Sequence, residues 1–94
     1  AHRDDPLTDM GLTSADYAGL VADLVGLVPA GRVVLFLEGG YDLSALANST
    51  AATLAATLGV THRVEDVTGH GRAGVAEQVD ALVFDLVRRH DLEI

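Results

Sequence analysis

The sequence has no cysteine among its 94 residues, and it lacks long apolar runs. The absence of cysteine excludes disulfide bonds, a thiolate nucleophile and a zinc site with cysteine ligands. A membrane-spanning helix would need about 20 consecutive apolar residues, and no stretch of the sequence approaches that length. We therefore expect a soluble chain with a cytoplasmic location and no membrane partner.

Basic residues are also scarce, with six Lys and Arg against fourteen Asp and Glu, which leaves a net charge of −8. A chain of this charge is unsuited to following nucleic-acid phosphates or to binding an anionic membrane. We expect no direct nucleic-acid partner. A chain of this length forms one small domain at most, and such a domain buries only about 60–65% of the surface that its unfolded chain exposes.

Apolar residues at helical spacing predict helices over residues 14–28, 43–58 and 72–90. The first helix begins after Thr13, because the sequence TSAD has the form of a capping box that uses Asp16, and Pro29 ends it. Gly59 is the predicted C-terminal cap of the second helix. The third helix is expected to direct its apolar residues toward a core. Between the last two helices we predict a loop, with a short extended piece at 64–67.

Residues 33–37, VVLFL, are continuously apolar, which is typical of a parallel strand covered on both faces. Such a strand needs hydrogen-bonded neighbours, because buried backbone donors and acceptors must be paired. The sequence offers only one good strand. The predicted fold class is therefore α/β: a helix-strand-helix portion of a larger parallel-sheet domain, incomplete in this chain. A start at Ala1, with no Met and no leader, agrees with a piece of a longer protein.

The stretch LFLEGGYDL, residues 35–43, places one of the four aromatic residues directly after two glycines. In open α/β sheets, ligands bind outside the carboxyl ends of the strands, where residues 38–41 fall. Gly39 and Gly40 would let a ligand approach the main chain, and the Tyr41 hydroxyl could donate a hydrogen bond to a developing oxyanion. The alternative is a tight strand-to-helix turn, with Tyr41 packed at the start of the helix.

A second polar stretch, AHRDDPLTD, contains five titratable side chains: His2, Arg3, Asp4, Asp5 and Asp9. Carboxylates and imidazole are metal ligands, so this stretch could form a metal-binding edge, although it lacks the spacing of a calcium loop. The alternative is a solvated loop in which Asp5-Pro6 starts a turn. We expect His62 and His70 to be exposed in the later loop, and His90 to lie at a helix C-terminus, where a cation is favourable.

Two stretches in this order and separation, AHRDDPLTDMGLT and VVLFLEGGYDL, closely resemble the C-terminal part of the zinc-dependent histone deacetylase family. The most similar members are the bacterial class II-like and acetoin-utilization-like proteins of the arginase/deacetylase superfamily. The resemblance covers roughly residues 1–60, and the predicted third helix fits the usual ending of the family. It implies that residues 1–94 are the C-terminal part of a histone deacetylase-like domain whose N-terminal part is absent.

The resemblance also implies roles for individual residues. Tyr41 matches the catalytic tyrosine of the family, and Leu7 matches a residue that lines the acyl pocket. Gly39 and Gly40 would lie beside the substrate channel. The family's zinc-binding Asp would immediately precede the first residue, and its His-His pair and Asp-x-His ligands would lie farther upstream. No metal ligand is therefore expected in this chain.

The implied function is zinc-dependent hydrolysis of acetyl-lysine or a related acetylated amine by the parent protein. Zinc would polarise the acetyl carbonyl and activate water, while Tyr41 stabilises the oxyanion of the tetrahedral intermediate. The remainder of the domain is the partner that completes the sheet, so we expect the isolated chain to be inactive. Two alternatives are a non-catalytic deacetylase-like interaction module, and an amidohydrolase that acts on acetylpolyamines or other small acyl-amines.

Overall fold

The computed structural model describes residues 1–69 and 71–93, and these residues form three α-helices joined by irregular segments. The helices are α1 (Ser14–Val25), α2 (Leu43–Leu58) and α3 (Val75–His90). All three predicted helices are confirmed, although α1 ends before its predicted last residue and α3 begins after its predicted first residue. The expected exposure of His70 lies outside the described residues.

Helix α1 begins with the predicted capping box. The backbone N–H of Thr13 donates to the Asp16 carboxylate at 2.8 Å, and the Thr13 hydroxyl accepts from the backbone N–H of Asp16 at 3.4 Å. Side chains and backbone thus satisfy donors that a helix start would otherwise leave unpaired. The helix ends at Val25, because the N–H of Leu27 bonds to the carbonyl of Leu24, three residues back, and leaves the helical pattern.

Helix α2 has the predicted bounds, because caps close both of its ends. The carboxylate of Asp42 accepts a hydrogen bond from the backbone N–H of Ala45 at 2.8 Å. At the other end, Gly59 has a φ of 71°, in the left-handed region that favours glycine, and its N–H pairs with helix carbonyls. Interactions that are local in sequence therefore set both ends of this helix.

Helices α1 and α2 pack against each other through small side chains. The buried apolar residues of the described chain are Ala15, Ala45, Ala52 and Ala55. Buried polar residues on the same two helices and at the α1 cap are Thr13, Ser14 and Ser49. Alanine allows two helix backbones to approach closely, but each alanine buries little apolar area. The core that the described residues form is therefore thin.

Helix α3 contacts neither α1 nor α2 within the described chain, and none of its residues is buried. The prediction that it directs apolar residues toward a core is therefore wrong for these residues. Its large exposed apolar side chains are Val75, Val79, Leu82, Val83, Phe84 and Leu86. Asp85 forms ion pairs with Arg88 and Arg89 at helical spacing, and such pairs support a helix locally.

Residues 33–37, the predicted strand, form no β-strand in the structure. The described residues contain one isolated parallel bridge, between His2 and Leu12, and none of them shares a backbone hydrogen bond with residues 33–37. Val34 is 77% exposed and Phe36 is 84% exposed. A strand requires a hydrogen-bonded neighbour, and no described residue supplies one. The predicted α/β class is thus not formed by this part of the chain, and residues 64–67 are also irregular.

The chain exposes more surface than a compact protein of its mass. Its accessible surface is 7562 Å², whereas a compact monomer of 9.8 kDa exposes about 5,200 Å². Its radius of gyration is 15.3 Å, against about 12 Å for a compact domain of this length. Apolar side chains in residues 33–37 and in α3 account for much of the uncovered surface. Among the described helices, none has both the length and the apolar character needed to cross a bilayer.

Candidate active site

Asp5 links the first loop of the chain, residues 1–13 before α1, to the segment that contains the two glycines and Tyr41. Its Oδ2 accepts a hydrogen bond from the backbone N–H of Tyr41 at 2.9 Å, and its Oδ1 accepts one from the N–H of Leu7 at 2.8 Å. Asp5 is buried, with 8% of its surface exposed. The main chains of Leu7 and Tyr41, two residues that the sequence proposes for the site, are thus held by one carboxylate.

The same hydrogen bonds keep the Asp5 carboxylate charged. The N–H groups of Leu7 and then of Tyr41 lower the pKa of Asp5 below its ordinary value, because they stabilise the ionised form. Burial acts in the opposite direction and is outweighed. The bond from Leu7 closes an Asx turn over Asp5-Pro6, so the predicted turn at this dipeptide is confirmed.

Gly39 and Gly40 carry the chain from residues 33–38 into α2 with positive φ angles of 63° and 101°. Residues with a Cβ atom rarely adopt such angles. A Cβ atom on Gly40 would lie 2.7 Å from Cδ1 of Leu46, so the main chain approaches α2 closely at this point. The Gly39-Gly40 pair therefore has backbone angles that other residue types would adopt only with strain.

The side chain of Tyr41 is not packed against the start of α2, because the residue is 64% exposed. A groove of about 380 Å³ runs between α1, α2, the segment before α2 and the first loop. Gly39, Gly40 and Asp5 form part of its wall, whereas Leu7 and Tyr41 do not line it and are both exposed. The structure therefore brings the glycines and Asp5 to the groove, with the exposed Tyr41 next in sequence to Gly40.

His2 and Glu65 form a second polar connection near the same loop. The Nε2 atom of His2 lies 3.0 Å from both carboxylate oxygens of Glu65. Its Nδ1 atom accepts a hydrogen bond from the backbone N–H of Asp4 at 3.1 Å, so in the neutral imidazole the proton is assigned to Nε2. His2 is 4% exposed, and the pair is therefore shielded from water.

Glu65 also holds the start of α1. Its Oε2 accepts a hydrogen bond from the backbone N–H of Ser14 at 3.0 Å. Burial raises the pKa of Glu65, but the hydrogen bonds from Ser14 and His2 outweigh it and lower the pKa below its ordinary value. Glu65 is thus a charged acceptor between the first loop and α1.

These contacts bear on both interpretations of the AHRDDPLTD stretch. No group of three or more metal-ligating side chains that could hold an ion occurs in residues 1–69 and 71–93. The oxygens of Asp5 bind backbone N–H groups, and His2 pairs with Glu65. The solvated-loop interpretation holds in part, because Asp5-Pro6 starts a turn and Arg3, Asp4 and Asp9 are exposed, whereas His2 and Asp5 are buried. His62 is exposed, as predicted.

Sequence reasoning missed Glu65 entirely and did not assign Asp5 to the site. Glu65 lies in a stretch without hydrophobic periodicity, 63 residues from its partner His2. Asp5 lies 36 residues from Tyr41. No local pattern reports contacts over such separations. The one usable signal was the Asp-Pro turn, which placed a carboxylate near the backbone of Leu7 but not near Tyr41.

The segments that build this site belong to a known domain family. Residues 1–57 match the histone deacetylase domain. The chain belongs to the histone deacetylase domain family. The match includes Asp5, Leu7, both glycines and Tyr41, as well as α1 and nearly all of α2. Membership implies the arginase/deacetylase fold for the domain, while Glu65 and α3 lie beyond the matched residues.

Two curated relatives carry the family name. The chain is 45% identical over 62 residues to "Histone deacetylase 14, chloroplastic" of Arabidopsis thaliana, covering 63% of this chain and 15% of that protein. It is 39% identical over 62 residues to "Histone deacetylase 10, chloroplastic" of Oryza sativa subsp. japonica, covering 63% of this chain and 14% of that protein. The chain thus spans about one-seventh of these relatives. No solved structure matches it significantly.

These relatives bear on the subtype expected for this histone deacetylase family member. Both are plant proteins, and their names place them in the chloroplast. They do not support the bacterial and acetoin-utilization subtype that the sequence suggested. The cytoplasmic location stays a prediction.

Proposed function

We propose that this chain is the C-terminal part of a zinc-dependent deacetylase domain that hydrolyses acetyl-lysine or a related acetylated amine. In this proposal Tyr41 acts on the reacting carbonyl, Gly39 and Gly40 lie beside the substrate, and Leu7 lines the acyl pocket. The observation that carries the proposal is the position of Tyr41. It lies within the matched deacetylase residues, follows two glycines with positive φ angles and presents an exposed side chain.

Tyr41 would contribute a hydrogen-bond donor. When water adds to the acetyl carbonyl carbon, negative charge develops on the carbonyl oxygen. A phenol hydroxyl held near that oxygen donates a hydrogen bond that is stronger in the transition state than in the ground state. Gly39 and Gly40 support this role, because they add no side chains where a substrate would approach the main chain.

Zinc, the cofactor expected for the family, does not fit the side chains of residues 1–69 and 71–93 taken by themselves. The described residues contain no group of three or more suitable ligands. In the proposal, the zinc ligands therefore belong to other parts of the deacetylase domain, and the contribution of this chain is the donor and the adjoining channel wall.

The proposal is tested on the complete protein from which the chain comes. Acetate release would be measured with an acetyl-lysine peptide and with an acetylated polyamine, before and after chelation and after zinc is restored. Hydrolysis that is lost on chelation and regained with zinc supports the proposal, and the preferred substrate distinguishes a lysine deacetylase from a small acyl-amine amidohydrolase. Absence of hydrolysis of both substrates by the zinc-loaded protein would overturn it.

A second candidate is a non-catalytic deacetylase-like interaction module. The observation that favours it is the large apolar surface of residues 33–37 and α3, which a partner could cover. Circular dichroism during thermal melting of the isolated chain separates the two candidates. A cooperative transition would favour an independent module, whereas the absence of one would favour a part of a larger domain.

A further inference from the structure

The carboxylate of Asp5 is hydrogen-bonded to the main chain of the proposed donor, Tyr41. Tyr41 follows two glycines that both have positive φ angles, and glycines leave the backbone unusually free to rotate. A side chain attached just after them is aimed accurately only if the main chain is held. The contact that holds it is the bond from the backbone N–H of Tyr41 to Oδ2 of Asp5, 2.9 Å long.

We propose that Asp5 is a positioning residue for the deacetylation reaction, because its carboxylate fixes the main chain at Tyr41 and thereby the direction of the Tyr41 hydroxyl. This inference rests on the proposed function. Asp5 acts through Tyr41 and not as an acid or base, because each of its oxygens already accepts a backbone hydrogen bond, one from Tyr41 and one from Leu7.

The geometry requires a carboxylate and not merely a polar side chain. Hydrogen bonds from N–H groups to an ionised oxygen are shorter and stronger than those to a neutral oxygen. Asparagine has the same shape, but it offers a single acceptor oxygen for the two N–H groups of Leu7 and Tyr41. With Asp5→Asn, an amide NH₂ group must therefore face one of these donors.

The role of Asp5 is separate from that of Asp42, which makes a different hydrogen bond next to Tyr41. Asp42 caps α2 through the N–H of Ala45, so the residue after Tyr41 is fixed to the helix. Asp5 ties Tyr41 instead to the first loop, which carries Leu7. Loss of the hydrogen bond between Asp5 and the N–H of Tyr41 leaves the α2 cap at Asp42 in place. It removes the connection between the proposed donor and the loop that carries Leu7.

The test compares steady-state kinetics of four variants of the complete, zinc-loaded protein on an acetyl-lysine peptide. They are Asp5→Asn, Tyr41→Phe, the double variant and the control Asp9→Asn, which changes an exposed carboxylate of the same loop. We expect Asp5→Asn to lower kcat about 10- to 100-fold with little change in KM, because misplacing a catalytic group costs rate more than binding. Asp9→Asn should leave both constants within about twofold.

The double variant shows whether Asp5→Asn lowers kcat through Tyr41 or through a general disturbance of the fold. If Asp5 acts by aiming the Tyr41 hydroxyl, Asp5→Asn should lower kcat by no more than about twofold once Tyr41→Phe has removed that hydroxyl. Equal fold-losses from Asp5→Asn in both backgrounds would overturn the positioning role. So would a normal kcat in Asp5→Asn while Tyr41→Phe is impaired, and the proposed function would then stand without it. An inactive wild type would overturn both. An unimpaired Tyr41→Phe in an active protein would overturn the role of Tyr41 and with it the positioning role of Asp5, but not the deacetylase activity.

Hydrogen exchange keeps the inference testable if Asp5→Asn fails to fold. The backbone amide of Tyr41 in the wild-type protein should exchange slowly, because it is bonded to a buried carboxylate. Fast exchange of that amide would overturn the inference, and slow exchange would support it. Where Asp5→Asn folds, the Tyr41 amide should lose protection while the Ala45 amide, bonded to Asp42, keeps its own.

Discussion

His2 and Glu65 are 63 residues apart in sequence, and both carboxylate oxygens of Glu65 lie 3.0 Å from Nε2 of His2. Glu65 also accepts the N–H of Ser14 at the start of α1. One carboxylate therefore joins the first loop, α1 and the segment that follows α2. This connection sets the position of the loop that carries Asp5 and Leu7, on which the proposed site depends.

The Glu65 connection should make stability depend on pH. The pKa of Glu65 is lowered in the folded state from an ordinary value of 4.5. Its stabilising contribution is therefore present above that value and is lost as the pH falls through the folded pKa. We expect Glu65→Gln to lower the free energy of unfolding of the complete protein by about 1 kcal/mol near neutral pH, and by less in acid.

Urea unfolding of wild type and Glu65→Gln, near neutral pH and below pH 4, measures this difference. The control is Glu77→Gln, which changes an exposed carboxylate on α3. Equal destabilisation by Glu65→Gln at both pH values would contradict a role for the ionised carboxylate.

Replacement of Tyr41 by phenylalanine tests the oxyanion donor directly. Loss of one such donor usually lowers kcat about 10²- to 10³-fold, and Tyr41→Phe in the complete protein should fall in this range with little change in KM. The comparison variant is Tyr17→Phe, which removes the hydroxyl of the chain's other tyrosine, on the α1 wall of the same groove. A larger loss in Tyr41→Phe than in Tyr17→Phe would assign the donor to Tyr41. Unchanged turnover of Tyr41→Phe would remove this residue from the mechanism.

A side chain at Gly40 should destabilise the fold. Its φ of 101° and the 2.7 Å separation between a Cβ atom and Cδ1 of Leu46 both oppose alanine. We expect Gly40→Ala to lower the free energy of unfolding by about 1–3 kcal/mol, measured by urea denaturation. Gly59→Ala is the matched control, because Gly59 also has a positive φ but its Cβ atom would meet no atom within 4 Å. A smaller loss in Gly40→Ala than in Gly59→Ala would contradict the close approach to α2.

The isolated 94-residue chain should neither hydrolyse acetyl-lysine nor bind zinc with one-to-one stoichiometry. The reason is that the described residues provide no group of three or more metal ligands, and zinc sites in proteins use three or four protein ligands. Isothermal titration calorimetry with zinc, at a pH where imidazole is neutral, measures the stoichiometry. Tight binding of one zinc ion per chain would contradict this prediction and return His2, Asp4 and Asp5 to consideration as ligands.

Local signals in the sequence were sufficient for the helices. The capping box of Thr13 and Asp16 starts α1, and Gly59 ends α2 in the left-handed conformation, as predicted. The Asp-Pro turn was also predicted correctly. Each of these features depends on residues within about four positions of one another, so the sequence alone determines it.

Tertiary structure decided the remainder, because its interactions join distant residues. Residues 33–37 have the composition of a strand, but a strand forms only beside a neighbour, and no described residue provides one. The same reasoning applies to the site. The sequence by itself proposed Tyr41, its glycines and Leu7 as site residues. Only the folded chain bonded Asp5 to Tyr41 and Glu65 to His2, through hydrogen bonds that cross 36 and 63 residues.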